Sequence, residues 1–190
     1  MKLKTPIATL CMALIAAGCA TNRETAPQTY DFGPVGQPET AANSVQVVEM
    51  RAPEWLDGSQ MLYRLAYRDP RALTPYSGSR WAGTPASMLT LRLRQQLGNV
   101  PGAKCIFSSS LAEFSQTYDA SDSSRAVLHV HAVLAATGAQ GQRLQKEFRL
   151  QAKAPTPDSA GGAAAFSELA SDLAKAAGQW MTESGLCTQP

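Results

Sequence analysis

Two runs of alternating side chains, residues 126–134 and 144–152, limit the fold of this chain more than any other feature. In the first run Ala126, Leu128, Val130, Ala132 and Leu134 occupy one side. In the second, Leu144, Lys146, Phe148, Leu150 and Ala152 share a face opposite Arg143, Gln145, Glu147, Arg149 and Gln151. A period of two belongs to a β-strand, and Gly138 and Gly141 between the runs suit a reversal, so the pattern predicts a long hairpin. A hairpin with one apolar face must bury that face against another layer.

Two helical stretches can supply the layer. Thr84-Pro85 places a hydroxyl cap before a proline at the first helical position, and Gly98-Asn99 gives a stop. Between them Ala86, Leu89, Leu93 and Leu97 form a core stripe, while Arg92, Arg94, Gln95 and Gln96 read as solvated. Met88 and Leu91 lie off the stripe, either as an outward apolar contact or as part of a broad core face. After Pro155 and Pro157 a glycine-rich linker is expected to enter a final helix, with Phe166, Leu169, Leu173, Ala177 and Trp180 at helical spacing. Gly185 ends it. Shorter strands are predicted at 30–32, 45–50, 60–67 and 104–108, with turn chemistry at 53–58, a long polar connection at 69–83 and a polar segment at 115–124. The order of elements argues for a single α+β domain: a mixed or antiparallel sheet with two amphipathic helices packed on one face.

The N-terminus decides where such a domain lives. Lys2 and Lys4 precede an uncharged run over residues 7–17 that is too short to span a bilayer, and small residues then lead into a cysteine in Leu14-Ile15-Ala16-Ala17-Gly18-Cys19-Ala20. This is the arrangement of a bacterial lipoprotein signal. The reading divides the chain into a signal peptide (1–18), a lipidated tether (19–28) and a domain (29–190), with a covalent lipid on Cys19. Ala20, where an aspartate would retain the protein in the inner membrane, favours the outer membrane and a domain facing the periplasm. A tether this short holds the domain within about 30 Å of the bilayer.

Removing the signal takes Lys2 and Lys4 from the 17 Lys and Arg, leaving 15 against 15 Asp and Glu. A neutral domain argues against nucleic acid as a partner. Of the four cysteines, Cys11 leaves with the signal and Cys19 takes the lipid, so Cys105 and Cys187 are expected to pair in an oxidising compartment. Catalysis is not expected. His129 and His131 share one face of a strand, but two imidazoles do not complete a zinc site, and no nucleophile elbow or phosphate-binding glycine motif occurs. No metal or cofactor is expected beyond the lipid. What remains is a set of aromatic and arginine residues in turns, Trp55, Tyr76, Arg80 and Trp81, of the types that anchor interfaces. Trp55 and Trp81 also fit core positions at the ends of elements.

Pro53-Glu54-Trp55-Leu56-Asp57, then Gln60 and Arg64, then Tyr76 and Arg80-Trp81-Ala82 ahead of a helix with Leu93 and Leu97, resemble the ABC-type transport auxiliary lipoprotein family, which includes the lipoprotein of the paraquat-inducible operon. The likeness extends more loosely from Tyr30 to Met181. Gly83-Thr84-Pro85 departs from the acidic residue and proline frequent there, and Gly58 replaces a more usual basic residue. The resemblance implies a non-catalytic subunit, anchored in the outer membrane, of a system that moves phospholipids or other hydrophobic molecules between membranes. Its partners would be a mammalian-cell-entry (MCE) domain protein and, through it, an inner-membrane ABC permease and ATPase. It further implies a homo-oligomeric ring that receives the partner's tunnel. Trp55, Leu56, Arg64, Tyr76, Arg80, Trp81, Met88 and Leu91 are the candidate contact residues. A different class remains open on the same anchor and domain: a lipoprotein regulator or assembly factor of an envelope enzyme such as a cell-wall synthase.

Overall fold

The computed structural model describes residues 26–35, 45–137 and 141–187. The stretch read as a signal peptide, Cys19, most of the expected tether and Gly138 lie outside them. The strands are β1 (Gln28–Tyr30), β2 (Val45–Val47), β3 (Gln60–Leu65), β4 (Thr74–Trp81), β5 (Cys105–Ala120), β6 (Ser123–Ala136) and β7 (Arg143–Lys153); the helices are α1 (Pro85–Leu97) and α2 (Ser159–Ser184). All seven strands join one mixed sheet in the order β1-β4-β3-β5-β6-β7, with β2 also on β5, and both helices pack on the same face. The fold is α+β.

Strand β5 is the spine. β6 pairs antiparallel along its length, and on its other edge β2 and β3 both run parallel to it, at Cys105–Phe107 and Gln116–Tyr118 respectively. An isolated bridge between Arg51 and Ser110 marks the path between them. The chain spends residues 52–62 on a distance that β5 covers with residues 111–115, so the surplus is thrown outward as a short 3-10 turn, Glu54–Leu56. The interrupting turn chemistry at 53–58 is therefore an excursion within one edge.

The structure corrects three readings of polar sequence. The expected connection at 69–83 contains β4, which pairs antiparallel with β3 and parallel with β1. Pro75 is tolerated there because β1 covers only Ser79–Trp81, so that among the described residues no strand on that edge needs its missing N–H. The polar segment 115–124 is the second half of β5 and the start of β6, so the long hairpin is the outer part of a three-stranded meander. A bulge between Leu111 and Glu113 lets Leu111 and Phe114 both face the helices and breaks the alternation that sequence reading depends on. The glycine-rich stretch after Pro157 is the first turn of α2. A Cβ on Gly161 would lie 2.0 Å from the Thr156 carbonyl oxygen, and one on Gly162 2.1 Å from Gln116 Oε1, so these glycines permit close packing.

The caps match their residue types. Thr84 Oγ1 accepts from the Ser87 amide at 3.2 Å, and Asp158 Oδ1 accepts from the Gly161 amide at 2.7 Å. Gly185 takes the left-handed conformation beyond α2. A disulfide joins Cys105, at the start of β5, to Cys187, just past α2, with their Cα atoms 5.4 Å apart. The core lies between sheet and helices, with Trp81 in its middle. Trp81 meets the rings of Phe32, Phe114 and Phe166 edge-on at 5.5 to 5.8 Å, and Phe114 stacks on Phe166 at 3.9 Å.

Candidate functional site

Leu56 and Trp81 are each only 2% exposed, and this removes them from the candidate contact surface. Leu56 is the inward residue of the 3-10 turn, and Trp81, the last residue of β4, fills the centre of the core; both carry packing energy. Trp55 next to Leu56 is 49% exposed, because the excursion buries one side chain and presents its neighbour. Leu91 on α1 is 57% exposed. Of the alternatives for the two residues off the helical stripe, Leu91 takes the outward one, while Met88 is half-buried against the core.

Met88 and Leu91 form one wall of an open groove of about 250 Å³, with Gln95; the other wall is the segment from Asp31 to Val35. Arg92 holds that segment in place. Expected to be solvated, it is instead 4% exposed, and its guanidinium donates to the carbonyls of Phe32 (2.7 Å) and Gly33 (3.0 Å) and to Ser171 Oγ on α2 (3.4 Å). Ser167 Oγ donates to the same Phe32 carbonyl at 2.6 Å. The chain after β1 is thus clamped between the helices by a charge-assisted fork. Burial pulls the Arg92 guanidinium below its ordinary value and the Asp31 carboxylate opposes this; an arginine stays charged through such a shift. A second depression, of about 310 Å³, lies on the other side of the same segment, against Ala160, Ala163, Ala164 and Ser167.

Tyr76 and Arg64 serve the framework more than the surface. The Tyr76 hydroxyl donates to Gln116 Oε1 at 2.9 Å and shares a 2.6 Å hydrogen bond with Tyr118, while the Tyr63 ring lies 4.6 Å from that of Tyr76. Gln116 Nε2 in turn donates to Ser124 Oγ and the Asp158 carbonyl, tying the sheet to the start of α2. Burial, then the bond to Tyr118, pushes the Tyr76 phenol well above its ordinary value, so it is neutral over the working pH range. Arg64 pairs with Glu113 at 3.1 Å across the half-buried face of β3 and β5. Arg80 is exposed, with Nε 3.3 Å from Thr29 Oγ1 on β1.

The other face of the sheet carries no helix among the described residues. His129 and His131 lie there, opposite Arg149 and Glu147 on β7. His131, Arg51, Ser108 and Ser110 border a shallow hollow of about 220 Å³. No group of three or more potential metal-ligating side chains occurs among the described residues. The cations on this face belong to no local motif. Their common orientation becomes visible only when β2, β3, β6 and β7 are placed beside β5.

The sheet and its two-helix layer match two crystal structures over most of their lengths. One is a protein from Xanthomonas campestris of the DUF330 family, with a TM-score of 0.66 at 18% identity, covering 85% of this chain and 94% of that one. The other is an uncharacterized protein, with a TM-score of 0.65 at 15% identity, covering 83% and 99%. At these identities the likeness establishes the fold. The fold is therefore one that this chain shares with the Xanthomonas campestris protein and the second crystal structure. The chain belongs to the ABC-type transport auxiliary lipoprotein component family, whose model matches residues 31–177. A comparison with curated proteins finds no match.

Proposed function

We propose that this chain is a non-catalytic lipoprotein, anchored through Cys19 in the outer membrane and facing the periplasm, that serves an ABC transport system with an MCE-domain partner moving phospholipids or other hydrophobic molecules. The family match across residues 31–177 carries the reading. Two further features support it. The residues that carried the resemblance divide into a buried set, Leu56 and Trp81, that shapes the fold, and an exposed Trp55 fixed at the tip of an excursion. An exposed tryptophan on a short rigid turn offers a large contact area at low entropic cost, as does Leu91 beside its groove. The chain supplies attachment and contact; energy coupling falls to the ATPase of the system.

Affinity purification in mild detergent tests the proposal. The expected result is recovery of an MCE-domain protein by the lipidated chain and at least tenfold weaker recovery by Trp55→Ala, a loss of about 1.4 kcal/mol or more at a hot-spot residue. Recovery of unrelated proteins alone, or retention equal to the parent, counts against it.

A further inference from the structure

The face of the sheet opposite the helices is basic, although the mature chain is formally neutral. The cationic side chains on it include Arg51 beside Ser110, Arg64 beside Thr117, Arg80 between the helix-facing Ser79 and Trp81, Arg125 on β6, and Arg143, Arg149 and Lys153 on β7. Three carboxylates answer them, and each is committed: Glu113 to Arg64, Asp119 to Arg125 and Glu147 to Arg149. Arg51, Arg143 and Lys153 are exposed and have no ion pair among the described residues. They lie far apart along the face, at the middle of one edge and at both ends of the other. The exposed residues of α2 include Glu168, Asp172, Glu183 and Lys175. The two helices together balance Glu168, Asp172 and Glu183 against Arg92, Arg94 and Lys175, so the excess of positive charge lies on the open face.

A face of this kind attracts a broad anionic surface better than a compact ligand. Its cations are spread out, none of its strands presents an exposed large aromatic among the described residues, and the hollow beside His131 is shallow. We propose that the open sheet face lies against an anionic phospholipid leaflet. The inference rests on the anchor reading, which keeps such a surface within reach of the domain at all times; a weak electrostatic contact then becomes an intramolecular one and sets orientation. With the sheet turned to the bilayer, the groove at Met88 and Leu91 faces away from it, toward a soluble or tunnel-forming partner. Lipid anchoring and a basic patch are the two complementary signals of stable membrane residence.

Fluorescence quenching in vesicles tests this. The lipidated full chain is labelled at Gln145→Cys on the open face or at Gln179→Cys on α2, without reductant so that the Cys105–Cys187 bond is spared. It is reconstituted in phosphatidylcholine, with or without phosphatidylglycerol, carrying a headgroup-nitroxide lipid. The expected result is stronger quenching at 145 than at 179 only with phosphatidylglycerol. The difference should vanish in 1 M salt, where screening acts within about 3 Å, and in an Arg51→Glu, Arg143→Glu, Lys153→Glu variant. Equal quenching at the two sites overturns the proposal, as does a difference independent of phosphatidylglycerol. Protection of the 145 label by crosslinking to α2 of a second copy also overturns it and makes that copy the occupant. Flotation separates the two readings. Chain that floats with both vesicle types but shows no site preference is anchored without the contact, while flotation with phosphatidylglycerol vesicles alone sinks the anchor and keeps the contact. Flotation with neither sinks both.

Discussion

Along β6, Ala126, Leu128, Val130, Ala132 and Leu134 are each at most 1% exposed against the helices, while Arg125, His129, His131 and Val133, which alternate with them, look outward and keep contact with solvent. The same strand serves two environments. On the covered face, function is excluded by packing: Leu56 and Trp81, which resemble interface residues in sequence, are consumed by the core. On the open face Val127, Ser115 and Thr117 are buried by their neighbours, but the charged side chains beside them keep contact with solvent. The lesson is that residue type alone does not assign a contact residue. The side of the sheet on which the residue falls does.

That contrast is broken or upheld first by truncation across a single peptide bond. Leu128→Ala removes a fully buried side chain and is expected to cost about 2–5 kcal/mol, whereas His129→Ala on the open face should stay within about 0.5 kcal/mol. Urea unfolding of both variants checks this, and comparable losses would mean that the open face is covered after all. The second effect in size belongs to the disulfide, which fastens the end of α2 to the covered face. Cys105→Ser is expected to cost about 4 kcal/mol on the chain-entropy account of a loop closed across a sequence separation of 82. Thermal unfolding with and without reductant should show that loss in the parent protein and none in the variant.

A third prediction concerns how closely the helix layer approaches the sheet. Gly161→Ala places a methyl against the Thr156 backbone, which cannot swing aside, and should cost about 1–3 kcal/mol; the same change at Gly78, where a Cβ meets open space, should cost less than about 1 kcal/mol. Calorimetry on the two variants sharpens the comparison. Nearly equal melting temperatures would show that the first turn of α2 is looser than its contacts indicate.

Much of this architecture was legible from residue patterns, and the failures have particular causes. Thr84-Pro85 and Gly98 set the bounds of α1 because their capping is local, and the alternation of β6 and β7 announced two faces because each strand keeps one period throughout. β4 was hidden by Pro75 and Gly78, and by polar residues that are acceptable where few strands flank it. The second half of β5 was hidden by the bulge after Leu111 and by Ser115, Gln116 and Thr117, whose burial depends on neighbours distant in sequence. Arg92 was misplaced for a similar reason: its partners are the carbonyls of Phe32 and Gly33, which no helical period reveals. The basic face was beyond sequence reading because its cations come from several strands and from the bridge residue Arg51, and share a side only once the sheet is assembled around β5.

The smallest expected effect lies at the cap that starts the covering layer. Asp158 accepts from the Gly161 amide, from Thr156 Oγ1 and more weakly from the Ala160 amide, and these bonds hold its carboxyl below the ordinary carboxylate value. A folded-state value below the unfolded one means that the unfolded chain binds the proton more readily. The stabilisation is therefore complete above the unfolded value, near 3.9, and is lost as pH falls through the depressed folded value. Asp158→Asn keeps an acceptor for the amide but cannot titrate, so it should flatten this part of the acid limb of stability against pH. Asp158→Ala should lower stability by about 1 kcal/mol at neutral pH and by progressively less in acid. Urea midpoints measured from pH 7 to pH 3 check both. A wild-type acid limb as steep as that of Asp158→Asn would show that the charge of the cap adds nothing to the hold of α2 on the sheet, which would then rest on apolar contact and on neutral bonds such as that from Gln116 to the Asp158 carbonyl.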